Sequence, residues 1–217
     1  EDEAKLLSAK GGEIIYSDPK SPASRITERL NKFGDTTLSD TILGVAFNYA
    51  CEGFFQVNIP VYEKALSDMK AWIDCNEKLP TLDLYSGVGT IGLTIGGDDV
   101  TLVEINEHAV AEMQRNIINL NRPNAKAILA PSEKSLEYIT DEQIVIVDPP
   151  RAGLHADVTN RLLETEPPRI IYLSCNPVTQ ARDVSLLQEK YEIVHHQGYN
   201  FFPRTPHIEH LVILDKK

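Results

Sequence analysis

Asp83-Leu84-Tyr85-Ser86-Gly87-Val88-Gly89-Thr90-Ile91-Gly92 decides how this chain folds. It reads as the end of a strand, a glycine-rich turn and the start of a helix. Gly87 and Gly89 let the backbone approach a ligand closely, and the helix that follows presents unpaired N–H groups. Working outward, apolar runs recur at Leu82 to Tyr85, Val100 to Val103, Ala127 to Leu129, Ile144 to Val147, Ile170 to Leu173 and Leu211 to Leu214. A short glycine-containing helix is predicted between the first two. His108 to Leu120 forms an amphipathic helix with Val110, Met113, Ile117 and Leu120 on one face. Strands alternating with helices predict an α/β fold, a mostly parallel twisted sheet with helices on both faces.

Upstream the pattern changes. Residues 1–58 carry turn material at Ser17-Asp18-Pro19-Lys20-Ser21-Pro22 and short alternating stretches such as Val45-Ala46-Phe47-Asn48-Tyr49, so they are predicted to form a small β-rich lead-in. Residues 59–217 form the α/β domain. Pro60 opens a helix expected from Val61 to about Cys75, with Tyr62, Ala65, Leu66, Met69, Trp72 and Ile73 at spacings of three and four, an ordinary core stripe.

A formal charge of −11 argues against a generic nucleic-acid binder, since phosphate contacts come from a basic face. Arg151, Arg161, Arg169, Arg182 and Arg204 nevertheless cluster in the C-terminal third, which leaves room for a local basic mouth. Three cysteines, Cys51, Cys75 and Cys175, show no Cys-x-x-Cys or Cys/His spacing, so neither a disulfide framework nor a zinc or iron-sulfur site is expected. No apolar stretch reaches membrane-spanning length, and Glu1-Asp2-Glu3-Ala4-Lys5 lacks the features of a signal peptide. A soluble, cytoplasmic, monomeric protein with reduced thiols is the expectation.

The glycine loop admits more than one ligand. Gly87-Val88-Gly89-Thr90-Ile91-Gly92 matches the dinucleotide pattern G-x-G-x-x-G of Rossmann-like folds, and Glu104 ends the next strand where an acid accepts ribose hydroxyls. A nicotinamide dehydrogenase is therefore one reading, and a plain strand-to-helix turn another. Asp83 favours S-adenosylmethionine, because a carboxylate ahead of the glycines can pair with an ammonium and is unfavourable beside a pyrophosphate.

Cys175, in Ser174-Cys175-Asn176-Pro177, follows the apolar run Ile170 to Leu173 and so lies at the carboxyl edge of a sheet, where open α/β folds place ligands. Alone it reads equally as a packed thiol. It stands, however, in an ordered set: Phe54-Phe55-Gln56-Val57-Asn58, the glycine loop, Asp148-Pro149-Pro150-Arg151-Ala152-Gly153-Leu154, Ser174 to Pro177 with Ala181-Arg182-Asp183, and Phe202-Pro203-Arg204-Thr205-Pro206-His207-Ile208-Glu209. From about residue 45 to the C-terminus this set resembles the S-adenosylmethionine-dependent RNA 5-methyluridine methyltransferases of the TrmA/RumA type.

The resemblance implies a class I S-adenosylmethionine-dependent methyltransferase fold acting on C5 of a uridine in tRNA or rRNA. It implies Cys175 as the nucleophile that adds to C6, Glu209 as the base that removes the C5 hydrogen, and Asp148 between methyl donor and target base. Gln56, Asp83, Tyr85, Gly87, Gly89, Glu104 and Asp148 would hold the cofactor. Phe54, Gln56 and Arg151 would meet the substrate, Phe54 by stacking on an extruded base. The family's adenine contact falls on Ala130-Pro131-Ser132-Glu133, where Ser132 or Glu133 would substitute. His207 and His210 flank the base and read also as solvated or packed. Methylation of an exocyclic nitrogen, with Cys175 as packing, and a catalytically silent binding fragment are the competing expectations.

Overall fold

Ile144–Val147 and Arg169–Ser174, buried along nearly their whole length, form the centre of the sheet from which everything else is placed. The computed structural model describes residues 9–19, 26–50, 53–73 and 79–217. In order these form β1 (Gly11–Tyr16), β2 (Glu28–Gly34), β3 (Thr37–Ile42), β4 (Val45–Ala50), α1 (Ile59–Ile73), β5 (Thr81–Leu84), α2 (Thr90–Ile95), β6 (Val100–Glu104), α3 (Glu107–Asn119), β7 (Ala125–Leu129), β8 (Ile144–Val147), α4 (Ala156–Thr165), β9 (Arg169–Ser174), α5 (Pro177–Leu187), β10 (Tyr191–Tyr199) and β11 (Glu209–Lys216). Cys51, Cys75 and the first five residues lie outside the described residues, as does the second half of the turn expected at Ser17 to Pro22.

The main sheet has seven strands in the order β10-β11-β9-β8-β5-β6-β7. β8 is parallel to β5 and β9, and β6 to β5 and β7. β11 runs antiparallel to both β9 and β10. The expected six strands are all present, joined by a seventh, β10, which periodicity missed. Tyr191-Glu192-Ile193-Val194-His195-His196-Gln197-Gly198-Tyr199 is mixed in polarity and largely solvent-facing because it forms the sheet edge.

Strand parity divides the core into two layers. Val145, Val147, Ile170, Tyr172, Val212 and Leu214 pack with Val158 and Leu162 of α4 and Val184 and Leu187 of α5. Their neighbours Ile144, Ile146, Ile171, Leu173, Leu211 and Ile213 pack with Leu66 and Met69 of α1, Ile91 and Leu93 of α2 and Met113 of α3. The same parity carried past the strand ends puts Asp148, Cys175 and Glu209 in line with the α1/α2 layer. Asp83 lies on that face too, two residues from Thr81.

Residues upstream of α1 form two antiparallel hairpins, β1-β2 and β3-β4. The second is fastened to the domain: Ile42 and Phe47 enter the α1/α2 core layer. Buried Asn116 of α3 accepts from the Asn48 N–H at 2.9 Å and donates to the carbonyls of Asn48 at 3.0 Å and Val88 at 3.2 Å. One side chain thus ties the hairpin to the glycine loop. Helix α1 begins two residues earlier than Pro60 suggested, since Pro60 takes the second helical position, where its missing N–H is not needed.

Among the described residues no helix is long and apolar enough to cross a membrane, and no group of three or more His, Cys, Asp or Glu is placed to hold a metal ion.

Candidate active site

Five strand ends deliver the site. Along the sheet order they bring Glu209 (start of β11), Cys175 (after β9), Asp148 (after β8), the glycine loop (after β5) and Glu104 (end of β6) to one edge. Because β11 is antiparallel, its first residues meet the end of β9, with His210 opposite Ser174. Adjacent strands lie about 4.8 Å apart, so the β9 and β5 ends are separated by roughly 10 Å. A cavity of about 710 Å³ opens along this edge. Its wall includes Cys175, Glu209, Asp148, Gln56, Tyr85, Gly87, Glu104 and Phe54.

At the β5/β6 side one acid ties the glycine loop to the turn that follows β6. Glu104 accepts the N–H of Gly87 at 2.9 Å and that of Asn106 at 2.7 Å, one per carboxylate oxygen. Each oxygen keeps lone-pair capacity for a further donor. Gly87 has φ 56°, and a Cβ there would meet no atom within 4 Å, so the backbone faces open space. Ser86 closes the turn by donating to the carbonyls of Asp83 at 3.0 Å and Val103 at 2.9 Å. Asn106 caps α3 through the N–H groups of His108 and Ala109, and Ile105 beside it is an exposed apolar surface on the cavity wall.

Three expected residues are placed differently. Asp83 is fully buried beneath the loop, off the cavity wall, with one carboxylate oxygen accepting the Gly92 N–H at 2.8 Å. Its strand parity turns it toward α2, and burial raises its pKa to about 7 against the lowering effect of that bond. Pairing with a ligand ammonium is therefore not its position in this structure; it anchors the helix that follows the glycines. Gly89 is a packing glycine: a Cβ would lie 2.9 Å from Leu93 and 3.1 Å from Met113. Arg151 is exposed and off the wall, but its charge reaches Cys175, where it favours the thiolate.

At the β8/β9/β11 side, three acidic groups crowd a dry corner. Glu209 is buried, and loss of water alone raises its pKa to about 7. Asp148 is pushed well above the usual carboxylate range by burial, then by the charges of Glu209 and Asp83. Cys175, half-buried, is raised by burial and then by Glu209 and Asp148, with Arg151 opposing. These surroundings favour the thiol over the thiolate.

The Asp148-to-Leu154 loop is shaped from below by α5. Asn176 and Thr179 donate to the Arg151 carbonyl at 2.9 and 3.1 Å, and Arg182 to that of Ala152 at 2.9 Å. Asp183, 2% exposed, accepts the Leu154 N–H and the Tyr172 hydroxyl, each at 2.8 Å, and Arg182 on its other oxygen. Gly153, at φ 83°, is needed there, since a Cβ would lie 2.5 Å from Asp183. Ala181-Arg182-Asp183 is thus scaffolding for the neighbouring loop. Asp183→Ala is expected to lower unfolding free energy by on the order of 3–5 kcal/mol, because it leaves a buried N–H and hydroxyl unpaired and strands Arg182. Urea titration checks this, and an unchanged midpoint would remove Asp183 from the scaffold.

The basic mouth is narrower than the composition suggested. Arg161 donates to the carbonyls of Leu136 and Ile139, Arg169 makes a two-pronged pair with Asp215 and bonds the Trp72 carbonyl, and Arg182 is committed to Asp183. Arg151, Arg182 and Arg204 are exposed, but Arg182 is held by Asp183, so of the five only Arg151 and Arg204 are exposed with no ion pair described.

Residues outside the expected set also contribute. Beside Pro131, Ser132 and Glu133 of the expected adenine stretch, which follow β7, Ile105, Asn106, His108, Ala109 and Glu112 line the cavity. Their position follows from the short β6-to-α3 turn; no motif marks them. Tyr85, at φ 64°, lines the cavity, and burial raises the pKa of its phenol, with the nearby His155 backbone and Ser132 side chain opposing. Gln56 lines the cavity, and its amide oxygen is buried without a hydrogen-bond partner. Phe54 is 75% exposed at the rim.

Known proteins resemble this chain over most of its length. Residues 35–217 match the family described as tRNA (uracil-5-)-methyltransferase. An uncharacterized RNA methyltransferase of Enterococcus faecalis is 37% identical over 217 residues, covering 97% of this chain and 46% of its own length. One from Nanoarchaeum equitans is 36% identical over 194 residues, covering 88% and 42%. The chain therefore spans about half the length of the curated relatives it matches. Among solved structures, a Pyrococcus abyssi tRNA (uracil-54, C5)-methyltransferase in complex with S-adenosyl-L-homocysteine superposes with TM-score 0.81 at 31% identity, over 94% of this chain and 50% of that one. Trm5b from the same organism, at 15% identity and TM-score 0.67 over 99% of this chain and 66% of its own, shares the fold.

Proposed function

Because the chain belongs to the tRNA (uracil-5-)-methyltransferase family and has the class I S-adenosylmethionine-dependent methyltransferase fold, we propose that it methylates C5 of a uridine in tRNA or rRNA through a covalent Cys175 adduct. The supporting observation is the convergence of Cys175, Asp148 and Glu209 in the same cavity as the Gly87–Glu104 loop. That loop side fits the donor. The unpartnered Gln56 oxygen accepts a ligand N–H, the spare lone pairs of Glu104 accept ribose hydroxyls, and the space over Gly87 admits a close backbone approach. Ile105, Ser132 and Glu133 would enclose the adenine. S-adenosylmethionine, when bound, supplies a sulfonium methyl whose positive charge suits a wall carrying the Glu104 carboxylate.

The protein's own part is to make C5 nucleophilic and then to restore the ring. Cys175 loses its proton and its sulfur bonds to C6, which moves the C5=C6 pair onto C5, the atom to be methylated. A resting thiolate beside two carboxylates is disfavoured, so the sulfur gives up its proton to solvent at the open cavity once bound substrate and the donor's charge offset those acids, and Glu209 stays free to accept a proton later. Asp148 lies between the two halves of the site, where it can bond the uracil edge. Once C5 carries both methyl and hydrogen, ionised Glu209 takes the hydrogen as a proton. The C5–H pair reforms C5=C6, and the C6–S pair leaves with Cys175 as thiolate. Phe54 at the rim stacks on a base swung out of the RNA, and Arg151 meets a phosphate.

The test is a short RNA hairpin carrying 5-fluorouridine, incubated with S-adenosylmethionine and read by denaturing mass spectrometry. Fluorine cannot leave as a proton does, so a protein–RNA adduct heavier by one methyl group is expected at Cys175. Intact binding of S-adenosylhomocysteine with no adduct would overturn the covalent reading.

A further inference from the structure

Helix α5 turns a polar stripe inward at Asn176, Thr179, Gln180 and Asp183, the i, i+3, i+4, i+7 spacing of one helical face. Asn176, Thr179 and Asp183 serve the Asp148-to-Leu154 loop. Gln180 does something else. Its side chain, 1% exposed, inserts between the ends of β9 and β11, and its amide nitrogen donates to the Tyr172 carbonyl and the His210 carbonyl, each at 2.9 Å. Its amide oxygen lies 2.6 Å from Nδ1 of His210.

This arrangement has one consistent assignment. Turning the amide over would set its oxygen against two carbonyl oxygens, so the nitrogen must face them. The amide oxygen then only accepts, and Nδ1 of His210 carries the hydrogen. His210 is gripped at its main chain and its ring by a single residue of α5. Its ring also lies beside His196, with centroids 5.7 Å apart.

The residue preceding His210 is Glu209. Residues 203–208 leading up to it are exposed, and its ladder partner is Tyr199 of the edge strand β10. On the β9 side, where Cys175 emerges, pairing begins only at His210 with Ser174. The position of the Glu209 carboxylate relative to the sulfur therefore depends on how firmly His210 is held against β9. We propose that Gln180 and His210 form a positioning pair that sets Glu209 for removal of the C5 hydrogen. This rests on the roles proposed above for Cys175 and Glu209.

A defect confined to that step has a signature that general damage lacks. The adduct still forms and is still methylated, but it is resolved slowly. Gln180→Met keeps the volume and removes all three bonds. His210→Phe keeps the two bonds from the Gln180 nitrogen and so guards against a variant that merely fails to fold. For both, trapping on 5-fluorouridine RNA is expected to stay within about threefold of the unaltered protein, while turnover on uridine RNA falls roughly tenfold to a hundredfold, the cost of a small misplacement. The methylated Cys175 adduct then accumulates on ordinary RNA, visible by denaturing mass spectrometry. If the unaltered protein traps but trapping and turnover fall together in a variant that still binds S-adenosylhomocysteine, or if neither changes, the positioning proposal alone is overturned. If the unaltered protein traps nothing, the covalent reading fails first and the proposal falls with it.

Discussion

Replacing Cys175 with alanine is expected to remove turnover by on the order of 10⁴-fold or more, and the 5-fluorouridine adduct entirely, because the covalent bond to C6 is what makes C5 reactive. Among the described residues lining the cavity, Cys175 supplies the only thiol. The hydroxyls on the wall lie elsewhere: Ser132 follows β7, and Tyr85 follows β5. Affinity for S-adenosylhomocysteine should change by no more than about threefold, under 1 kcal/mol, because the proposed donor contacts lie on the β5/β6 side. Stability should shift little, by about 0.5 kcal/mol, since the thiol is half-buried and makes no side-chain hydrogen bond described here. The contrast between lost chemistry and intact binding is the diagnostic result. A variant that keeps a tenth of the activity would leave Cys175 as packing and return the target atom to an exocyclic nitrogen.

The legible part of this site is the part that strand parity controls. Ile146, Leu173 and Leu211 face one core layer, so Asp148, Cys175 and Glu209, each two residues nearer the edge, share a side of it. The motifs named these residues; the register of β11 against β9 explains why a glutamate thirty-four positions downstream of the cysteine meets it. Parity also bears on Asp83, whose expected contact with a ligand ammonium overlooked that a residue on β5 two positions from Thr81 faces α2. β10 was missed because an edge strand exposed to solvent carries no apolar run. The arginine cluster misled for a different reason: sequence proximity cannot tell a phosphate contact from a guanidinium that satisfies helix-end carbonyls, as Arg161 does. Gln180 belongs to no motif, and its importance rests on three bonds that only the tertiary structure displays.

Glu209→Gln should produce two effects of opposite sign, because a single buried carboxyl carries both. As a base Glu209 must be ionised, and its pKa of about 7 means that kcat/KM should rise with pH through neutrality as the proton is lost. The glutamine cannot accept the C5 proton, so turnover should fall by about 10²- to 10⁴-fold while the methylated adduct accumulates on unmodified uridine RNA. Stability runs the other way. Between the ordinary value of 4.5 and about 7, the folded state holds a proton at Glu209 that the unfolded chain has released. Unfolding free energy therefore falls as pH rises through that window, and the native state carries the full cost of a buried charge above it. The neutral amide carries no such cost, so the variant should be more stable than the unaltered protein at pH 8, by on the order of 1–3 kcal/mol, and should lose that advantage as pH falls toward 4.5. Asp148 and Asp83, also raised by burial, push the unaltered protein in the same direction, and Asp148 should titrate more easily once Glu209 no longer repels it. Urea unfolding at pH 5 and pH 8 gives the sign directly. A stability difference that does not depend on pH would mean that Glu209 is not held neutral by burial. A variant that turns over normally would mean that another group removes the C5 hydrogen, and Asp148, the neighbouring carboxyl in the same cavity, would then be the first replacement to make.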